Sequence, residues 1–287
     1  MRYAFIRTQE RLHRVTRLCA ALAVSRSGYY AWRDRPVSAR TVEDRRLLSV
    51  LQRLHQQARE GYGAIKLWRA ANDCGIRCGR HRVARLRKVA GLEARRIRRF
   101  RVSVEHHQFP PPAPNLLQQC FVTTTLDRVW VGDFTHVPTR AGWLYVAVLL
   151  DLYSRRVIGW AMSAKPDQHL TLEALAMAVR QRRVRPGLIH HSDQGAQYSS
   201  LAYQRRLTTL GMTPSMSRKG NCYDNAVAES FFSTLKNELI HHQTYHTRDE
   251  ASRDIFAFIE GFYNRQRLHQ SLRYLTPLEF ERRISDS

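Results

Sequence analysis

At 287 residues and 43% hydrophobic side chains, the chain is long enough for one large or two ordinary domains with real cores, which excludes disorder throughout. Its 47 Lys and Arg against 24 Asp and Glu point to a polyanionic partner. The longest apolar run, Trp143 to Leu150, falls far short of the roughly 20 residues a membrane span needs.

The charge is uneven: residues 1 to 100 carry 25 Lys and Arg against 7 Asp and Glu, and the remainder 22 against 17. Arg dominates, and guanidinium forks bind phosphate oxygens while releasing counterions, so the N-terminal third is the expected nucleic-acid surface. Met1 to Ile6 has no signal-peptide hydrophobic region. The five cysteines are scattered, as in a reducing compartment, so a cytoplasmic protein is expected with no membrane partner. Cys74 and Cys78, with His81 nearby, are spaced like half of a zinc site, but no fourth ligand matches. They read as small buried residues.

In chain order, Leu12 to Trp32 predicts two short helices around a tight corner, with Ser25 or Ser27 as cap, inside an N-terminal helix-turn-helix-like segment, residues 1–36. Residues 41 to 58 predict a longer helix, with Thr41 and Asp44 as an approximate capping box and Leu47, Leu48, Leu51 and Leu54 as its buried stripe. A helix pair follows, Tyr62 to Asp73 and Arg80 to Ala90, with Gly75 and Gly91 at left-handed C-cap positions. The second helix sets Arg80, His81, Arg82, Arg85, Arg87 and Lys88 around Val83, Leu86 and Val89. It is the candidate recognition helix of a basic domain spanning 37–104, with Arg80, Arg82, Arg85, Arg87 and Lys88 as candidate DNA contacts. The basic run Arg95 to Arg101 and the stiff FPPPAP stretch, Phe109 to Pro114, mark a linker at 105–119.

Beyond the linker the period changes from helical to alternating. Arg128 to Val137 predicts a strand with Val129, Val131, Asp133, Thr135 and Val137 on one face. WLYVAVLLDL and VIGWAMS follow as the second and third strands of an antiparallel meander. A helix at Leu170 to Arg182, strand LIHHSD, helix Leu201 to Leu210 and strand Thr213 to Met216 then alternate, which predicts an α/β mixed sheet covered by helices. Ser215 to Leu239 closes this domain, 120–245. Asp224 or Asn225 caps its helix, Val227, Phe231, Leu235 and Leu239 share an apolar face, and Glu229, Phe232, Ser233 and Lys236 share a second stripe. The C-terminal extension, 246–287, reads as helical from Thr247 to Glu281, with Ile255, Phe256, Ile259 and Phe262 as its core stripe.

Three acids stand out by location. Asp133 lies inside an apolar strand, where an acid is costly unless paired, hydrogen-bonded or metal-bound. Asp193 ends a strand at the edge where open sheets bind ligands, and Glu229 looks out from a helix. Asp151 is better explained as a turn residue bonding backbone, and Asp224 as a cap. Carboxylates converging on one point repel unless they hold divalent cations, and oxygen-only ligands suit Mg²⁺ or Mn²⁺. Two such ions clamp an in-line displacement at phosphorus.

The 59 residues between Asp133 and Asp193 and the 35 between Asp193 and Glu229 resemble the DDE signature of retroviral-integrase-like polynucleotidyl transferases. The segments VSRSGYYAW, YGAIKLWRAANDCGI, RHRVARLRKVAGL, VWVGDFTHVPT, GWLYVAVLLDLYSRRVIGW, HHSDQGAQYSS, SMSRKGNCYDNAVAESFFSTLKNEL and YNRQRLHQSLRYLTPLEF are similar to the text of the insertion-sequence-three family of bacterial transposases, second-frame (OrfB) product. This resemblance implies a ribonuclease-H-like catalytic domain with Asp133, Asp193 and Glu229 as catalytic metal ligands, two Mg²⁺ or Mn²⁺ ions per site, and Lys236 as a DNA contact near the cut. It also implies cleavage at element ends, 3′-hydroxyl strand transfer, homo-oligomers on DNA, and an upstream-frame OrfA product or frameshift fusion as partner. Phe134 stands where an aliphatic is more usual in that family, and neither it nor Gln194 alters the acids.

Overall fold

The computed structural model describes residues 1–95, 113–120, 123–218 and 222–286. The basic run beyond Arg95, most of the proline stretch and residues 219–221 lie outside the described residues. The chain divides into two compact units, Met1–Leu51 and Gln52–Ser287.

The first unit is helical. α1 (Arg2–Gln9), α2 (Val15–Ala21) and α3 (Arg26–Arg33) close around Ile6, Cys19 and Tyr29, with Tyr3, Leu18 and Trp32 packed alongside. Ser25 starts α3 by accepting a hydrogen bond from the Gly28 amide at 3.0 Å. α4 (Ala39–Gln57) begins two residues earlier than the Thr41–Asp44 pattern predicts, because the Ser38 hydroxyl accepts from the Thr41 amide and takes the cap position.

The second unit opens with α5 (Ala64–Asp73) and α6 (Arg80–Val89), the predicted basic pair. Gly75 between them sits at φ +82°, a conformation open to glycine at no steric cost. The Trp68 indole donates to the Cys78 carbonyl at 2.7 Å and pins the turn. Cys74 is exposed and Cys78 half-buried, so the expectation of two buried cysteines does not hold. Val89 is also exposed, at 75%, and the packed face of α6 is Val83 and Leu86 alone.

A five-stranded mixed sheet follows, β1 (Val129–Thr139), β2 (Gly142–Asp151), β3 (Val157–Ser163), β4 (Ile189–Ser192) and β5 (Thr213–Met216), in the order β3-β2-β1-β4-β5. β1, β2 and β3 form the antiparallel meander, and β4 pairs parallel to β1 with Val131 opposite His191. Both faces are covered. Val129, Val131 and Val137 pack with β2's Val146, Val148 and Leu150 against the later helices, while Trp130, Ala147 and Leu149 face α7 (Gln168–Gln181) and α9 (Leu201–Thr209). β3 and α7 approach so closely that a Cβ on Gly159 would lie 2.3 Å from the Ala174 carbonyl oxygen. A short helix, α8 (Ala196–Ser199), was not predicted and fills the connection after β4.

α10 (Ala226–Glu238) buries Val227, Phe231 and Leu235 as expected, and Phe232 as well. Phe232 therefore belongs to the core and not to the stripe of Glu229 and Lys236. The reason is that α10 is covered on two sides, by the sheet and by the segment carrying Tyr263, whose ring meets Phe231 edge-on at 4.8 Å. α11 (Arg248–Phe256) runs into a π-helical stretch, Ala257–Tyr263, whose wider turn brings Phe258 inward and leaves Phe256 52% exposed beside Trp160. The expected place of Phe256 in the core is thus taken by Phe258. α12 (Pro277–Ser285) starts with a capping box from Thr276 and Glu279, and its buried Glu281 binds both Arg156 and Arg182. Among the described residues no helix is long and apolar enough to cross a membrane.

Candidate active site

Parallel pairing of β1 with β4 builds the core of the site. From the facing pair Val131 and His191, Asp133 lies two residues further along β1 and Asp193 two residues further along the chain, just past the end of β4 at Ser192. The carboxylates are half-buried and each is steered by one backbone amide. Phe134 N–H donates to Asp133 Oδ1 at 2.8 Å, and Gly195 N–H donates to Asp193 Oδ1 at 3.0 Å. Burial pushes the Asp133 carboxyl well above the usual range and the negative charge of Asp193 adds to the push. The Phe134 amide opposes it, Glu229 raises it further, and Lys236 pulls it down. Asp193 is raised too, chiefly by burial, against its bond from Gly195. Two acids are thus held where both ionise only at a penalty.

Glu229 and Lys236 come from α10, which packs over β1. Asn225, the residue before the helix, donates its side-chain amide to the Gly132 carbonyl at 3.4 Å, next to Asp133, and fixes where the helix starts. Asn225 makes no side-chain capping bond. Asp224 does not cap either, because its carboxylate binds the Arg218 guanidinium and backbone amide at 2.8 to 3.2 Å, a pairing that holds it below the usual carboxylate range. Glu229 is exposed in the first turn and Lys236 half-buried in the last. Burial lowers the Lys236 ammonium while the Asp133 charge supports it. The structure therefore brings Asp133 and Asp193 together, with Glu229 and Lys236 within electrostatic reach of Asp133. Among the described residues no three His, Cys, Asp or Glu side chains are grouped closely enough to hold a metal ion.

Behind the acids lies a layer that the sequence did not reveal. His191 is buried, with Nδ1 at 2.9 Å from the Ser215 hydroxyl and Nε2 at 2.9 Å from the Asp224 carbonyl, which ties β4 to β5 and to the approach to α10. His190, on the other face, meets the Tyr203 hydroxyl at 2.8 Å, and burial pushes its imidazole down to about 3. Tyr198, from α8, is fully buried on the same face as His190, against Phe134. Its hydroxyl has no hydrogen-bond partner, and the charges of Asp133 and Asp193 help to hold the phenol protonated, after burial and Tyr203. Asp151 is outside the site: it accepts from the Asp127, Tyr153 and Ser154 amides, as its turn position predicted.

On α6, Arg80, His81, Arg85 and Lys88 lie on the exposed side, whereas Arg82 and Arg87 are half-buried on either flank of the Val83–Leu86 face. The five basic residues thus divide between an outward row and two margins.

A model described as an HTH-like domain matches residues 42–100, and two described as integrase core domains match residues 124–222 and 210–277. The chain is 44% identical over 263 residues to the insertion element IS600 uncharacterized 31 kDa protein of Shigella sonnei, covering 92% of this chain and 97% of that protein. It is 38% identical over 284 residues to the transposase InsF for insertion sequence IS3A of Escherichia coli (strain K12), covering 98% of each. Among solved structures, the catalytic core domain of BIV integrase is similar at 19% identity and a TM-score of 0.43, over 56% of this chain and 97% of that one.

Proposed function

We infer the function from the site and from kinship together: the chain belongs to the insertion-sequence-three family of bacterial transposases, and it is a DDE polynucleotidyl transferase. Its reaction is cleavage of DNA at the ends of an insertion sequence and joining of the freed 3′-hydroxyl to target DNA. What supports this reading most is that Asp133, in β1, feels the charge of Asp193, just past the end of the neighbouring parallel β4, and of Glu229 and Lys236 on α10.

Integrase core domains of this kind use divalent metal ions. The residues present fit that requirement. The donors are carboxylate oxygens, which suit Mg²⁺ or Mn²⁺ and not a thiolate metal. Asp133 and Asp193 repel when both ionise, a repulsion that a divalent cation relieves. Asp133, Asp193 and Glu229 would hold two ions, whose chemistry is to activate the attacking hydroxyl and to stabilise the leaving oxygen. The Phe134 and Gly195 amides each occupy one carboxylate oxygen and leave the other for a ligand. Glu229 approaches from α10, and Lys236 meets a phosphate or terminal base near the scissile bond. The outward row Arg80, Arg85 and Lys88 tracks the DNA backbone, with Arg82 and Arg87 contributing from the margins. The domains we take are an N-terminal helix-turn-helix-like segment 1–36, a basic helix-turn-helix-like domain 37–104, a linker 105–119, the catalytic domain 120–245 and the extension 246–287. The working form is a homo-oligomer on DNA that acts with an upstream-frame product.

The test is single-turnover reaction of a labelled element end with Mg²⁺, beside gel-shift affinity. Glu229→Gln should abolish nicking and joining while keeping DNA affinity. Hydrolysis without joined strands would reassign the protein as a nuclease, end binding without either reaction would make it a silent binding copy, and wild-type cleavage by Glu229→Gln would overturn the acid assignment.

A further inference from the structure

Away from the acids, between the start of α5 and the end of α6, a cavity of about 620 Å³ is lined by Gly63, Lys66, Arg87, Glu93, Gln270 and Tyr274, among others. Its two cations reach in from different helices, Lys66 from the first turn of α5 and Arg87 from the last turn of α6. Among the described residues neither is in a salt bridge, although many other basic side chains of the unit are, as Arg95 is with Glu60 and Arg267 with Glu238. Lys66 is half-buried, with its ammonium 5.3 Å from the centre of the Tyr62 ring. Burial and the nearby Arg267 charge push it down to about 8, against support from the Glu238 charge. α5 opens on Gly63 with no capping side chain and no acid in its first turn. The amides of Ala64, Ile65 and Lys66 therefore add positive potential at the same wall. Glu93 is the opposing charge on the lining.

We propose that this cavity seats one phosphate of the DNA backbone, with its flanking sugars, between Lys66 Nζ and the Arg87 guanidinium. The inference rests on the reading that the chain binds DNA, and adds where one backbone phosphate is held. Both cations line the one cavity, so a single phosphate seated there is within the scope of both. The volume exceeds what a bare anion fills and suits a nucleotide-sized body. Gln270 and Tyr274 bring the segment after the π-helical stretch to the same phosphate, so the seat joins the basic helix pair to the far end of the catalytic unit. Arg87 is thereby separated in role from Arg80, Arg85 and Lys88, which point outward.

The experiment measures binding of the full chain to a labelled duplex across a salt series, for the wild type, Lys66→Met, Arg87→Gln, both together, and Lys66→Arg. Each phosphate contact contributes about 0.9 to the slope of log affinity against log salt. Either single change should lower the slope by about that amount, and the double variant should lose no more than a single one. Lys66→Arg should restore it, and Lys88→Gln added to Lys66→Met should subtract independently. Lys66→Met should melt no lower than the wild type, because it removes a half-buried cation, which separates lost binding from lost folding. Wild-type slopes in both single variants, with the wild type binding normally, would overturn the phosphate seat and leave the transposase reading intact. Full additivity of Lys66→Met and Arg87→Gln would overturn the single shared phosphate. A wild type without salt-dependent DNA binding would remove the functional reading itself.

Discussion

The C-terminal end of α10 is held by a buried ion pair, and breaking it should disable a helix that carries two of the proposed functional residues. Arg267 meets Glu238 through Nε at 2.9 and 3.1 Å and Nη2 at 2.8 Å, with side chains only 13% and 10% exposed. Arg267→Met keeps the bulk and strands the carboxylate, a loss that runs at about 3 to 5 kcal/mol for buried pairs. The expected loss is therefore about 3 kcal/mol or more at pH 7, less whatever the nearby Lys66 ammonium recovers. Urea unfolding at pH 7 measures it, with Glu238→Gln/Arg267→Met expected to return to within about 1 kcal/mol of the wild type. A loss under about 1 kcal/mol would refute the reasoning. Cleavage should fall in the single variant more than DNA binding does, since the last turn of α10 carries Lys236.

Asp133→Asn should raise the melting temperature of the metal-free protein, more at pH 8 than at pH 5, because the folded-state carboxyl is raised and its stabilising proton is lost as pH climbs; the variant should also lose the Mg²⁺-induced rise, and an unchanged metal response would make Asp133 a structural acid. His190 is depressed to about 3, so its contribution is present above its unfolded value near 6.5 and lost below it at about 1.4 kcal/mol per pH unit, or about 2 kcal/mol by pH 5. His190→Gln should flatten the fall in stability between pH 7 and 5, and parallel curves would contradict this. Lys236→Ala should keep the metal response and part of the nicking but bind cleaved ends more weakly and place the cut less accurately, as read on one labelled end substrate. Gly159→Ala should lose about 3 kcal/mol or fail to fold, because its Cβ meets backbone atoms that cannot yield, and a wild-type urea midpoint would show that α7 is free to shift.

The strands were legible because their chemistry is local. Alternation from Val129 to Val137 follows from a sheet covered on both faces by different helices, and VIGWAMS and Thr213 to Met216 are the third and fifth strands as read. What failed was decided at longer range. Phe232 is buried in a core that also takes in Tyr263, a residue distant in sequence whose ring meets Phe231. Phe256 is displaced by a π-helical stretch that periodicity at 3.6 does not foresee, and Asp224 leaves the cap for Arg218. α1 lacked a periodic stripe, since Ile6 is its buried residue. Asp133 was conspicuous as an acid in an apolar strand, but its partner in space depends on the register of β1 against β4, which spacing alone does not specify.

That register also explains why the site is built as it is. Asp133 is carried by the central strand and Asp193 by the residue just past the neighbouring β4, a strand tied down by His190 with Tyr203 and by His191 with Ser215 and Asp224. Their repulsion is relieved by protonation or by a cation. Glu229, by contrast, sits on a helix fastened at its start through Asn225 to Gly132 and at its end through Glu238 to Arg267. The demand for charge compensation falls on the half-buried pair, to which Glu229, exposed in the first turn of α10, adds a smaller push. Asp133 should therefore govern whether the metal-free fold is stable, and Glu229 whether the reaction proceeds. Asp133→Asn and Glu229→Gln measured side by side, for apo melting temperature and for cleavage, separate the two roles: the first should move both quantities, and the second cleavage alone.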